Sequence, residues 1–366
     1  MKKYNFSDQL AMLVLILICG TAWATTLTHT VEESGGDFGN FSAAVAHLEA
    51  THTNLVAADV NAVIISVGNW TNPVNEDISI GTTLVTDSTH TLIIIASDLA
   101  RHNGKAAAVS GRLNYRNNGG TLYVHSSYTT VSGLEFYGKN CGDDVGSVVN
   151  VAYEWPYPHY LFMDSLLVHD FSGRCSGINF NAGYSDSVLS NSIVYNGAAD
   201  YQRGIFGYNS TEGQVYNNTV YNVGNATGQG SYGYGIAAFA YMKNNIAVGN
   251  GGASPYDFVS YTGSSALNYN ISSDTSAAGT NSLTGKTAAN LFVSVTPGAE
   301  DLHLKSSAAA RDVGTDLSGV FTTDIDLEVR PSGSVWDIGA DEQGSLATVV
   351  RSYIGRNSVW NRTIFE

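Results

Sequence analysis

Charged residues are sparse in this chain, 13% of all positions, yet they bunch at three places with similar spacing. Lys139, Asp143 and Asp144 form one group, Asp170 and Arg174 a second, and Asp200 and Arg203 a third. Opposed charges held close shift one another's pKa, which is what acid–base work and proton abstraction require. Lys139, Asp143, Asp144, Asp170, Arg174 and Arg203 are therefore candidate catalytic residues. A plain ion-pair rim is the competing reading, since surface pairs add typically under about 1 kcal/mol each.

A second feature is aromatic. Tyr153-Glu154-Trp155-Pro156-Tyr157-Pro158-His159-Tyr160 gathers four aromatic side chains in a stretch stiffened by two prolines. Flat rings with polar tips suit stacking on sugar faces, which makes Trp155 and Tyr157 candidate substrate-binding residues. A loop folded back onto its own coils is the alternative reading.

For these groups to meet, distant positions must be brought into phase. A short pattern recurs six times: SGL, DSL, NSI, NTV, NIA and NIS, beginning at Ser132, Asp164, Asn191, Asn218, Asn245 and Asn270. After a longer first interval, the starts are almost evenly spaced. Such a repeat length signals a solenoid, in which each unit buries its face only against its neighbours. The units hold short period-2 runs such as GINFN at Gly177, GIFGY at Gly204 and GIAAF at Gly235, with Gly, Asn, Ser and Asp turns and no helical stretch. Three strands per coil, at about 3.3 Å per residue, account for roughly 25 residues. The expected class is all-β, a three-sheet solenoid over roughly residues 55–300. Asn191, Asn218 and Asn245 are expected to stack in one turn, where asparagine side chains hydrogen-bond from coil to coil. Each charged group follows its repeat position at a similar short offset, so stacking places the charges on one rim. Alternation from an inward Ile178 and Phe180 turns Asn179 and Asn181, Phe206 and Tyr208, and Ala237 and Phe239 outward. Asn179, Asn181, Phe206 and Tyr208 thus join the substrate-binding candidates.

This pattern resembles the right-handed parallel β-helix of the pectate-lyase-like superfamily. The segments DLHLKSSAAARDVG, TTDIDLEVRP and DIGADE, between Asn281 and Gly344, are similar to the terminal module of exported bacterial β-helix proteins of unassigned function. Ala308, Ala309 and Arg311 depart from that module's usual Ser-Pro-Ala-Ile-Asp run, putting an arginine where the pattern has an apolar core residue. The resemblance implies a substrate groove over the sheet holding GINFN and its equivalents. Lyases on this fold use an Arg or Lys base, usually beside calcium-binding carboxylates, so calcium is the cofactor to test. Lys139, Arg174 and Arg203 are positional candidates for the base. Gly142-Asp143-Asp144 is similar to the paired aspartates of polygalacturonase-like hydrolases, but the companion motifs NTD, His-Gly and Arg-x-Lys are missing from the following coils. Two readings stay open: a polysaccharide-binding or polysaccharide-processing protein (a lyase or glycoside hydrolase if an enzyme), and a non-catalytic, adhesin-like surface rod.

The chain begins with Lys2 and Lys3, an apolar run from Leu10 to Cys19 and the small-x-small Ala22-Trp23-Ala24, the pattern of an export signal. That run is short for a membrane span. Residues 1–24 are read as a signal peptide, 25–345 as one β-helix domain, and 346–366 as a tail. The product is expected to be secreted, periplasmic or cell-surface, with no membrane span after processing. Formal net charge is −15, and removal of 1–24 takes away two lysines and one aspartate, leaving −16. That balance opposes nucleic acid and anionic membranes, while the aromatic stretch and the resemblance imply a polysaccharide or cell-surface glycan as the partner.

Asn40 or Ser42 starts a helix in which Phe41, Ala44, Val45 and Leu48 share one face, a lid for the open end of the solenoid. Cys141 follows Ser132, and Cys175 follows Asp164, at nearly equal offsets, so the two fall in one turn of adjacent coils. Coil spacing near 4.8 Å lies within the disulfide Cα range of about 4.4–6.8 Å, and an oxidising compartment favours the bridge over two separate buried thiols.

Overall fold

The computed structural model describes residues 24–344, and the strand pairs 354–355 and 358–359. Short segments within that span lie outside the description: 69, 72–73, 75, 82, 98–99, 107–113, 117–121, 139, 142–145, 152–157, 182–185, 199–201, 208–212, 225–232, 252–255 and 261–265. The expected signal peptide and nearly all of the tail are likewise outside it.

Apolar residues in each coil point to a common axis, and every strand pairs with its equivalent one coil away. The result is a right-handed parallel β-helix of three sheets. Sheet I has nine strands, from Thr25–Val31 to Ala266–Asn268; sheet II has seven, from Asn114–Arg116 to Ile271–Ser272; sheet III has seven, from Ile78–Ile80 to Tyr256–Ser260. All pairings within the three sheets are parallel. Parallel crossover connections are overwhelmingly right-handed because of strand twist. Val131, Met163, Leu189, Val215 and Met242 from sheet I meet Val168 and Val194 from sheet II and Ile178, Ile205 and Ile236 from sheet III in one apolar core.

The coils span residues 25–272 rather than 55–300. Thr25–Val31 already pairs with Val60–Ser66, and the chain beyond Ser272 leaves the solenoid to form an antiparallel hairpin, Phe292–Thr296 with Ala299–Leu304. Helix α1, Phe41–Thr51, is an insertion between the first two strands and buries Phe41, Ala44, Val45 and Leu48 as expected. Asn40 caps it by accepting from Ala43 N at 2.8 Å, and Glu76 accepts from Phe41 N and Ser42 N.

The asparagines separate into two ladders. Asn218 N and Nδ2 both donate to Asn245 Oδ1 at 3.0 and 3.1 Å, and Asn245 repeats this with Asn270 at the same distances. The coil before them supplies Ser192, whose N donates to Asn218 Oδ1 at 2.9 Å. Asn191 is therefore out of register with Asn218. It stands one place earlier, equivalent to Asn217 and Asn244, in an outer row with φ of 47°, 51° and 56°. The reason is a shorter coil: Ser190 pairs with Tyr216, whereas Tyr216 pairs with Lys243, one place further along the chain.

The outer ladder is where the C-terminal module docks. Asn191 Nδ2 donates to Thr323 O, Asn217 Nδ2 to Asp337 O and Gly339 O, and Asn244 Nδ2 to Thr315 O. Leu291, Phe292, Leu302, Leu304, Ile325 and Ile338 cover the outside of sheet II over Leu167, Ile193, Tyr195 and Ile246. Leu317, Phe321 and Trp336 reach round the corner onto Val188 and Tyr216 of sheet I. Ala308 and Ala310 fill the core of this region, and Arg311 stands at its edge, donating to Ser306 O at 2.7 Å. No described helix is long and apolar enough to cross a membrane.

Candidate functional site

The module's apolar clusters and hydrogen bonds fall on sheets I and II, which makes the outer face of sheet III the side to consider. Register aligns its outward residues in two rows. One runs Ser147, Ser176, Arg203, Tyr234, Tyr256; the other runs Tyr123, Asn150, Asn179, Phe206, Ala237, Val259. Arg203 lays its guanidinium over the Phe206 ring, 3.9 Å from the centroid, a cation–π contact that fixes both side chains. Tyr234 and Tyr256 stand one above the other at 6.5 Å, and Tyr256 is 49% exposed. Asn179 Nδ2 donates to Asn150 Oδ1 at 3.3 Å, and Tyr123 stacks on His125 at 6.3 Å and 10°. This face thus carries rings, amides and one guanidinium at the spacing of the coils, beside Ser147, Ser176 and Ala237, which are buried.

Of the sequence-derived candidates, Arg203, Phe206 and Asn179 come together here. Asn181 does not stand out on the face: it is 3% exposed, at the strand end where its N donates to Val151 O. Phe239 points inward, contrary to simple alternation. Ala238 takes a left-handed φ of 72°, the pairing shifts register there, and Phe239 is turned into the core 6.4 Å from Phe180.

The expected rim is divided between two sides. Asp170 lies at the sheet II corner, where its carboxylate accepts from Asn196 Nδ2 at 3.1 Å and meets His169 Nδ1 at 2.8 Å. It heads an outer ladder, Asp170–Asn196–Asn222, and Asn196 also donates to Glu300 of the module. Arg174 is exposed in the turn entering sheet III. Lys139, Asp143, Asp144, Asp200, Trp155, Tyr157 and Tyr208 lie outside the described residues. The exit of the aromatic loop is described: Tyr160 stacks on Tyr128 of the preceding coil at 4.5 Å and 17°.

The disulfide is present. Cys141 and Cys175 are joined across neighbouring coils with Cα atoms 5.7 Å apart. They are not register equivalents: Asn140 bridges to Ser172, while Cys175 pairs with Gly146, so the bond crosses the turn obliquely.

Two buried ionic clusters escaped the sequence reading. In the first, His169, 3% exposed, is held between Glu135 (3.0 Å) and Asp170 (2.8 Å) and stacked between Tyr137 and Tyr195 at 5.4 and 5.0 Å. Burial alone would lower its pKa, but the bonds to Asp170 and Glu135 outweigh it and raise the imidazole above its ordinary value. In the second, His303 lies between Asp301 and Asp326, and those carboxylates push its pKa up to about 10 against the cost of burial. Period-2 alternation in DLHL, which sets Asp301 and His303 on one side, was the available signal.

Two open pockets, of 480 and 220 Å³, lie on the module: one lined by Lys286, Asn290 and Lys305 among others, the other by Asp316, Pro331 and Trp336 among others. Neither adjoins the outer face of sheet III.

No protein-family model matches the sequence, and no curated protein does. Among solved structures, the chain is similar to the PL6 family polysaccharide lyase from Pseudopedobacter saltans, at 11% identity and a TM-score of 0.38, over 68% of this chain and 46% of that one. It spans less than half of that enzyme. It is also similar to pectate lyase Pel9A, at 15% identity and a TM-score of 0.34, over 88% of this chain and 97% of that one.

Proposed function

We propose that this protein is an exported β-helix that binds a polysaccharide lengthwise along the outer face of sheet III. The observation that carries the reading is the row Arg203, Tyr234 and Tyr256, one rung per coil, with Phe206 under the Arg203 guanidinium, on the sheet away from the module. Parallel coils repeat about every 4.8 Å, so sugar rings lying across the rungs meet an aromatic face or a polar tip at regular steps. Asn150 and Asn179 supply amide donors and acceptors beside them. The export pattern in residues 1–24 and the disulfide fit an oxidising compartment.

The catalytic version of the reading rests on Arg174, Arg203 and Lys139 as candidate bases, with Asp143 and Asp144 as cation-holding carboxylates. Asp170 is taken up by His169 and Asn196, and it drops out of that set. A glycan-array screen of the mature protein, with and without calcium, tests the proposal. Binding of an extended polysaccharide supports it, and turnover only with calcium adds the lyase. No glycan bound under either condition leaves the surface rod.

A further inference from the structure

We propose that His303, Asp326 and Asp341 form a binding site for one divalent transition-metal ion, which fastens the separate pieces of the C-terminal module to one another. The three come from separate pieces of chain: the strand Ala299–Leu304, the turn after Asp324, and the DIGADE segment. One ligand atom from each lies within 4.8 Å of the other two, and among the described residues no other three such groups gather this closely. One imidazole nitrogen with two carboxylates suits zinc or manganese, whereas calcium takes oxygen ligands alone.

Two further observations point to a cation rather than to a closed ion-pair network. Asp341 is only 6% exposed, yet its one hydrogen bond among the described residues comes from Leu304 N to Oδ2 at 2.7 Å, and no described cationic side chain pairs with it. Asp326 Oδ1 is buried and has no hydrogen-bond partner. A buried carboxylate oxygen without a partner is costly, and a bound dication removes that cost.

The surroundings have the form of a metal site's outer layer. Asp301 meets His303 Nδ1 at 2.5 Å and orients the ring, Nε2 lies 2.7 Å from Asp326 Oδ2, a contact that an ion between the two would replace, and Lys105 pairs with the other oxygen of Asp301 at 2.5 Å. Gly104, at φ +72°, brings bare backbone against the site: a Cβ there would lie 2.6 Å from His303 Nε2. The neighbouring residues are themselves anchored to the solenoid, His102 by Ser165 O at 2.7 Å and Arg101 by Ser132 Oγ at 3.2 Å. An ion at this point ties the hairpin, the turn after Asp324 and the DIGADE segment together, with Lys105 bordering the site through its pair with Asp301.

The test uses the full chain, stripped with a chelator and titrated by calorimetry with Zn²⁺, Mn²⁺ and Ca²⁺ in turn. We expect one equivalent of Zn²⁺ or Mn²⁺ and a raised unfolding temperature. Asp326→Asn and Asp341→Asn should each weaken binding at least about ten-fold, and Asp301→Asn about ten-fold through the imidazole. Absence of stoichiometric binding, tighter binding of Ca²⁺ than of either other ion, or unchanged affinity in both ligand variants overturns the proposal. If the variants fail to fold, Co²⁺ loaded into the unaltered chain decides. Visible bands of a nitrogen–oxygen site support the assignment, and no bound Co²⁺ overturns it.

Discussion

Asn218 and Asn245 are joined twice across one coil spacing, the backbone N and the side-chain Nδ2 of the first both reaching Oδ1 of the second, at 3.0 and 3.1 Å. Both residues are fully buried, and Asn218 Nδ2 also donates to Leu189 O and Tyr216 O. The ladder thus satisfies main-chain groups at a turn that apolar side chains would leave unpaired.

Asn218→Ala removes the acceptor for Ser192 N and the donor for Leu189 O in a site closed to water. We expect a loss of about 2–3 kcal/mol in denaturant unfolding, the cost of unpaired buried polar groups. A loss under about 0.5 kcal/mol would show that the ladder is incidental.

The Cys141–Cys175 bond closes a loop of sequence separation 34. Chain-entropy reasoning gives such a loop a contribution of about 3–4 kcal/mol. The Cys141→Ser/Cys175→Ser double variant should unfold at a lower temperature than the oxidised protein, and reductant should lower the parent's unfolding temperature but not the variant's.

His169 sets a pH dependence. Its pKa is raised in the folded chain by Asp170 and Glu135, with Tyr137 and Tyr195 stacked on its faces and Glu300 reached through Asn196. A raised folded value means that the stabilisation is complete below the unfolded pKa of about 6.5 and is lost as pH rises through the folded one. Unfolding temperature should therefore fall as pH rises above about 6.5. A Glu135→Gln/His169→Phe variant should lack that part of the slope, the first change being needed because Glu135 is 1% exposed. Parallel profiles for parent and variant would refute the assignment.

On sheet III, Tyr256→Ala and Phe206→Ala should each weaken binding of the glycan found by array about ten-fold, equivalent to about 1.4 kcal/mol, as measured by calorimetry. Both lie in the rows that face outward, so melting curves should stay within a few degrees of the parent. Unchanged affinity in both variants would move the binding site off this face.

The sequence by itself determined the solenoid, its lid and its crosslink. Each rests on short-range, repeated information: a period-2 run within a strand, a helical face of Phe41, Ala44, Val45 and Leu48, and cysteines at similar offsets from a repeat. Coil length carries no such check. A coil one place shorter than its successor moved Asn191 from the inner ladder to the outer one, and a left-handed Ala238 turned Phe239 from the surface into the core. Tertiary structure alone decided where the module lies and what it assembles. Asp326 meets His303 across 23 positions, Asp341 reaches Leu304 across 37, and Arg101 bonds Ile325 O across 224. Contacts of that kind follow from one apolar patch finding another over sheet II, where burial of Leu167, Ile193 and Ile246 drives docking without direction or period. The polar groups caught at that interface are then set by the docking geometry, which no local spacing encodes.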